Sequence, residues 1–302
     1  MKKSRVGTAV LALVLLVGVF VVVGLVASLW GDAENDAPTW TDLFSYGNKI
    51  GVIKLEGTIM DSDDVLKQLR KFAKKTSVRA IVIRINSPGG SVAPAQEIYR
   101  EIVKTRKKKP VVASMETVAA SAAYYIASST DRIVSSNGTI TGSIGVIMML
   151  ADLHKVIEKL GVNVNIIKAG KYKDIGTGVR PLSDEERSIL ETFAAEIHEQ
   201  FISDVEAGRK GKIDKEKLKS ISDGRFFTGQ KAKEMGLVDD IGNFYDAVKI
   251  AADLGHIKTE PELVYPKKKW ESYLDLLMES TSGMFSGVLE RAGLGQLAPS
   301  VR

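Results

Sequence analysis

A serine at position 121 stands in the stretch ETVAASAAYYIASS, residues 116–129, between an apolar run and an alanine-rich segment of helical character. A serine hydroxyl becomes a nucleophile only when a base takes its proton. Two further stretches hold groups that complete such chemistry. NSPGGSV, residues 86–92, follows the most apolar run of the folded part, and its two glycines free backbone amides to face a developing oxyanion. KAGKYKDIGTGVRPL, residues 168–182, sets three lysines among glycines, and a lysine serves as a base when burial favours its neutral form. Each stretch alone has a plainer reading: Ser121 as a packing residue in a helix, the glycine pair as an ordinary turn, a lysine as a solvated charge. Together they describe a serine–lysine acyl-transfer site.

Other chemistries are narrowed by what the chain holds. It has no cysteine, which excludes disulfides, thiolate metal sites and a cysteine nucleophile. Its three histidines, His154, His198 and His256, are not spaced as metal ligands with one another or with carboxylates, so neither a metal nor a cofactor is expected. His154 and His198 fall in expected helices, away from glycine turns, and neither is chosen as the base. The net charge of +5 is scattered over 302 residues, and no basic stripe is interleaved with aromatics, so nucleic acid is not an expected partner.

The elements that must position these groups alternate. KIGVIKLEGTI (49–59), VRAIVIRIN (78–86) and PVVASM (110–115) read as strands, as do DRIVSS and VNVNII (162–167). Between the first strands lie two helical patterns. One carries Val65, Leu66, Leu69 and Phe72 on one face; the other has Pro94 in its first turn. Residues 183–209 read as a long amphipathic helix opening on a capping box, with Phe193, Ile197 and Phe201 on one face. The alternation predicts an α/β fold of βαβ units around a largely parallel sheet, with sites gathered where strands end and helices begin.

The amino terminus carries a different signal. Residues 1–5 include Lys2, Lys3 and Arg5, and residues 6–30 then run without a charge to Trp30, followed by Asp32, Glu34 and Asp36. At ~1.5 Å per residue this run spans a bilayer core of roughly 30 Å. Positive flank before and acids after predict a single-pass anchor with a cytoplasmic N-terminus and an extracytoplasmic remainder; the alternative is a cleaved signal peptide, whose apolar core is normally shorter, about 7–15 residues. Residues 31–47 read as a stalk, 48–258 as the folded part and 259–302 as a tail. The tail's amphipathic segment suits a membrane surface or a partner.

Five motifs carry a resemblance. INSPGGSV, AASAAYYIAS, TGSIGVI (141–147), GKYKDIG (170–176) and DGRFFTGQKAKEMGLVDDIG (223–242) occur in the order found in signal peptide peptidase A. Over residues 48–258 the chain resembles the short Gram-positive form of that family of serine–lysine membrane peptidases. The resemblance implies a crotonase-like and Clp protease-like α/β fold of repeated β-β-α units. It implies Ser121 as nucleophile, Lys173 as general base with Lys171 as runner-up, and Ser143 as the hydroxyl that orients the lysine. The amides of Gly89 and Ala122 would hold the oxyanion. Remnant signal peptides and other apolar peptides would be the substrates, lipid would be met through the anchor, and copies would assemble into a ring or dome with pockets between subunits. In one place the chain departs from the family: Ala122 and Ala123 follow Ser121 where glycines are usual. Alanine suits that position if it is helical. A crotonase-fold acyl-CoA enzyme and a non-catalytic membrane scaffold are the alternatives.

Overall fold

The structure is a computed structural model and describes residues 47–266. The expected anchor at 6–30, nearly all of the stalk and the tail from 267 onward lie outside the described residues. Among the described residues no helix is long and apolar enough to cross a membrane.

The architecture is a mixed α/β sheet. β1 (Lys49–Glu56), α1 (Asp63–Lys74), β2 (Val78–Ser87), α2 (Val92–Arg106) and β3 (Val111–Ala120) form the expected βαβ core, with β1, β2 and β3 paired in parallel. α3 (Ala122–Ser128), β4 (Arg132–Ser135) and β5 (Ile140–Gly142) follow, then α4 (His154–Lys159), α5 (Asp184–Gly208) and α6 (Lys215–Ile221). β6 (Phe226–Thr228), α7 (Gly229–Met235), β7 (Asp240–Ile241), α8 (Phe244–Leu254) and β8 (Glu262–Val264) close the described chain. The main path through the sheet is β6-β5-β3-β2-β1-β8, with β4 joining β3 to β7.

The central strands are buried on both faces, as a parallel sheet covered by helices requires. Alternate side chains divide between two cores. Ile81, Ile83 and Ile85 pack with Leu69 and Phe72 of α1, and with Ile98 and Ile102 of α2. Ala80 and Val82 face the other way, against Ala247, Val248 and Ala251 of α8. The long helix is present with its capping box, in which Ser183 accepts from the Glu186 N–H. Phe201 is core on its apolar face, whereas Phe193 is 52 % exposed.

Two expectations are corrected. β3 does not stop at Met115. It runs on through Glu116 and Thr117, because its first half pairs with β4 and its second half pairs with β5. Residues 162–167 form no strand. Their alternation is strand-like, but no strand of the described chain lies beside them, and Val162, Val164, Ile166 and Ile167 are exposed.

Candidate active site

The site is built where two strands end side by side. β3 and β5 pair in parallel with Ala120 opposite Gly142. The next residue on each strand is a serine, Ser121 and Ser143. The Ser121 N–H donates to the Gly142 carbonyl at 2.9 Å, and the Ser143 N–H donates to the Arg225 carbonyl at 2.8 Å. Both serines have positive φ, 54° at Ser121 and 51° at Ser143. Among described residues other than glycine only His256 shares that property. Such backbone costs on the order of 1–3 kcal/mol and persists only where its surroundings enforce it.

At Ser121 the enforcement is visible. Its carbonyl accepts the Tyr125 N–H at 2.9 Å, which starts α3. The Gly89–Gly90 turn presses from the other side: a Cβ on Gly89 would stand 2.8 Å from the Ser121 Cβ and 3.0 Å from the Ala122 nitrogen. That turn is locked in place by Ile59, whose N–H donates to the Gly89 carbonyl at 2.9 Å and whose carbonyl accepts the Ser91 N–H at 2.8 Å. The Gly89 N–H itself donates to the buried Ser87 hydroxyl at 3.1 Å. Ala122 and Ala123 are the first residues of α3 and are buried, so alanine stands in the helical setting that suits it. Ala122, as the first residue of the helix, has an N–H that α3 itself cannot satisfy.

Ser121, Ala122, Ser143 and Gly90 line one cavity of about 580 Å³. Its walls are largely apolar: Val92 and Ala95 of α2, and Ile197 and Phe201 of α5. Tyr125 forms part of the wall, with its ring centroid 4.7 Å from that of Phe201 and 5.3 Å from that of Tyr99. The Tyr125 hydroxyl donates to Asp204, and burial together with that carboxylate pushes its pKa up. Tyr99 is pushed up to about 12 by the same two causes, burial first. Both phenols therefore remain neutral at ordinary pH.

The lysines lie elsewhere. Lys173 is exposed, on a turn in which its N–H donates to the Gly170 carbonyl at 3.3 Å, and it does not line the Ser121 cavity. Lys171 is exposed as well and pairs with Glu185 at 2.6 Å, whose hydrogen bond raises the lysine's pKa. The turn is anchored to α5 through Asp174. Arg180 donates to Asp174 at 2.8 Å and to Glu186 at 2.9 Å, and Lys168 also pairs with Asp174. One chain thus assembles the serines and both candidate amide donors without the candidate base. It also brings in a residue that sequence reasoning set aside: His198 of α5 lines the cavity. Its only sequence signal is a position next to Ile197 and one turn before Phe201.

Residues 103–258 match Peptidase family S49, and residues 34–140 match Clp protease. A relative in Synechocystis sp. is 43 % identical over 217 residues, covering 71 % of this chain and 77 % of its own. The chloroplastic serine protease SPPA of Arabidopsis thaliana is 34 % identical over 233 residues, covering 77 % of this chain and 33 % of its own. Protease 4 of Haemophilus influenzae is 34 % identical over 234 residues, covering 74 % of this chain and 37 % of its own. The S49 match contains Ser121, Ser143 and the lysine turn, and the Clp protease match contains the Gly89–Gly90 turn that presses on Ser121. The chain belongs to peptidase family S49 and is a serine-type endopeptidase.

Proposed function

We propose that this peptidase is membrane-anchored through residues 6–30 and cleaves apolar peptides, remnant signal peptides among them, with Ser121 as nucleophile and Lys173 as general base. The observation that carries the reading is the strained Ser121, held between the β3 end and the Gly89–Gly90 turn at the wall of an apolar cavity. Strain of this kind gathers where a side chain must be aimed. An apolar cavity suits an apolar peptide.

In this reading the neutral Lys173 amine takes the proton as the Ser121 Oγ bonds to the scissile carbonyl carbon. The resulting oxyanion accepts hydrogen bonds from the Ala122 amide and from the Gly89–Gly90 turn. The lysine ammonium then protonates the leaving amine, the C–N bond breaks, and an acyl-serine remains. Water, deprotonated by the same lysine, releases it. Ser143, beside Ser121, is the hydroxyl that orients the amine. For Gly89 to serve, its N–H must leave the Ser87 hydroxyl that it now meets at 3.1 Å.

A neutral lysine needs burial, and Lys173 is exposed in a single chain. We assign that burial to a second copy, in a homo-oligomeric ring or dome. The segment between Ser143 and Lys173 supports this: Ile147 is 85 % exposed, Met149 90 % and Ile167 101 %, an apolar surface of the kind that marks an interface. The test is labelling with a serine-reactive phosphonofluoridate and cleavage of an apolar peptide by the full chain. Both should be lost in Ser121→Ala, and cleavage should be lost in Lys173→Ala. Retained cleavage in either variant overturns the dyad.

A further inference from the structure

α5 lays Ile197, His198 and Phe201 along the Ser121 cavity. Phe201 is held against Tyr125 at a centroid distance of 4.7 Å, and Tyr125 sits one helical turn after Ser121. His198 is therefore fixed, through packed rings, to the element that aims the nucleophile. Its Nε2 is buried and has no hydrogen-bond partner. Polar groups near it on the same helix are matched: Gln200 accepts from Gln96 at 3.0 Å, and Asp204 accepts from Tyr125 and from Arg100.

A buried imidazole nitrogen with no partner disfavours the empty state, and an apolar residue at this place would remove the penalty. Of the polar groups that line the same cavity, Asp223 is held by Arg225, and none of them reaches Nε2, so an occupant of the cavity is the available partner. The next step rests on the reading that the substrate is an apolar peptide. Such a peptide has no polar side chain to offer, and its hydrogen-bonding groups are its main-chain amides.

We propose that the His198 ring turns as peptide binds, so that Nε2 leaves its buried position and hydrogen-bonds a main-chain amide of the bound peptide, which makes His198 a substrate-binding residue. The bond holds an extended chain along α5, while the apolar walls take its side chains. Because the bond forms on binding and persists through the reaction, it lowers KM without raising kcat. Glutamine supplies a donor and an acceptor at the end of a flexible side chain and can replace it.

The test uses the full-length chain, wild type, His198→Phe and His198→Gln. The readouts are steady-state cleavage of an apolar chromogenic peptide and the rate of labelling by a small phosphonofluoridate. His198→Phe is expected to raise KM about tenfold with kcat within about threefold, the size of one lost hydrogen bond. Labelling should keep its wild-type rate, and Gln should restore KM. On wild-type protein, replacing single amides of the peptide by esters should raise KM at one position outside the scissile bond, and that increase should vanish in His198→Phe. An unchanged KM in His198→Phe, or an ester series with no sensitive position in wild type, overturns the inference. So does a collapse of kcat and labelling in folded His198→Phe, which would make His198 the base of Ser121. Failure of wild-type protein to label sinks the serine–lysine reading and this inference with it, whereas normal labelling with an unchanged KM sinks this inference alone.

Discussion

Ser121 and Ser143 leave neighbouring parallel strands at the same level, one residue beyond the Ala120–Gly142 pair, and both do so with positive φ. The bond from the Ser121 N–H to the Gly142 carbonyl ties the two exits together. A serine and a second hydroxyl are thereby fixed side by side by main chain, with no side-chain contact needed to hold them.

This geometry makes strain at Ser121 measurable. Ser121→Ala and Ser121→Gly both remove the hydroxyl and should both be inactive. Only glycine adopts the backbone at φ 54° and ψ −124° without cost. Ser121→Gly is expected to unfold at a higher temperature than Ser121→Ala, by about 1 kcal/mol of stability. Equal melting temperatures would mean that the turn is not strained.

The second glycine of the SPGG turn answers to Ile59. A Cβ at Gly90 would lie 2.1 Å from the Ile59 carbonyl oxygen, closer than any contact allows. Gly90→Ala should push the turn off β1's extension, costing about 1–3 kcal/mol and abolishing cleavage. Activity within a few-fold of wild type would show that the turn has room to move and is not needed in this position.

The alanines after Ser121 stand where α3 has already begun, and they are expected to be compatible with activity. Changing Ala122 and Ala123 together to glycine restores the sequence usual in the family and should leave kcat within a few-fold. It should also destabilise the fold, since each glycine costs on the order of 1 kcal/mol in a helix. Chemical denaturation beside steady-state kinetics checks both halves. A large gain in activity would mean that the alanine methyls crowd the substrate.

The βαβ core was legible because parallel strands buried on both faces read as unbroken apolar runs, as in VRAIVIRIN. The start of α5 was legible because Ser183 and Glu186 form a local cap. The far end of β3 was not, since Glu116 and Thr117 are kept in a strand by Val118 pairing with Ile140, a partner that no local pattern announces. Residues 162–167 failed for the converse reason: their alternation is real, but a strand needs a neighbour. Ser121 and the glycine pair drew notice at strand-to-helix junctions, yet each had a plainer local reading, and Ser143 was named only through the family resemblance. His198 reaches the cavity through the packing of α5, which has no residue signature.

Away from the site, Arg209 is fully buried and donates to Asp239 at 2.8 and 3.1 Å. Burial alone would raise the Asp239 pKa, but Arg209, Lys212 and the Ile133 N–H together bring it below the ordinary value. A lowered carboxylate stabilises the fold above its unfolded pKa of about 3.9 and loses that contribution as pH falls further. Arg209→Met should cost about 3 kcal/mol at pH 7, because it removes the cation that meets both oxygens of a buried carboxylate and leaves it only Lys212 and the Ile133 N–H. The difference from wild type should narrow below pH ~4 as Asp239 protonates. Urea melts at pH 7 and pH 3.5 measure it, and a constant difference would rule out the ion pair as the cause.

The sharpest test concerns Lys173, exposed in its own chain and outside the cavity that holds Ser121. If a second copy buries it, the base acting on one Ser121 belongs to a neighbour or becomes seated through contact with one. Mixed assemblies distinguish these cases. Ser121→Ala and Lys173→Ala proteins should each be inactive alone. Co-expressed, they can form junctions where an intact serine from one copy meets an intact lysine from another. Recovery of roughly a quarter of wild-type activity, the random-mixing fraction of such junctions, is expected if the dyad bridges copies. It corresponds to a loss of only about 0.8 kcal/mol relative to the full rate. Mixtures as inactive as their components would place serine and lysine in the same chain. The segment from Ile147 to Ile167 would then have to carry Lys173 toward its own Ser121 on assembly. Size measurement of each mixture separates that outcome from a failure to co-assemble.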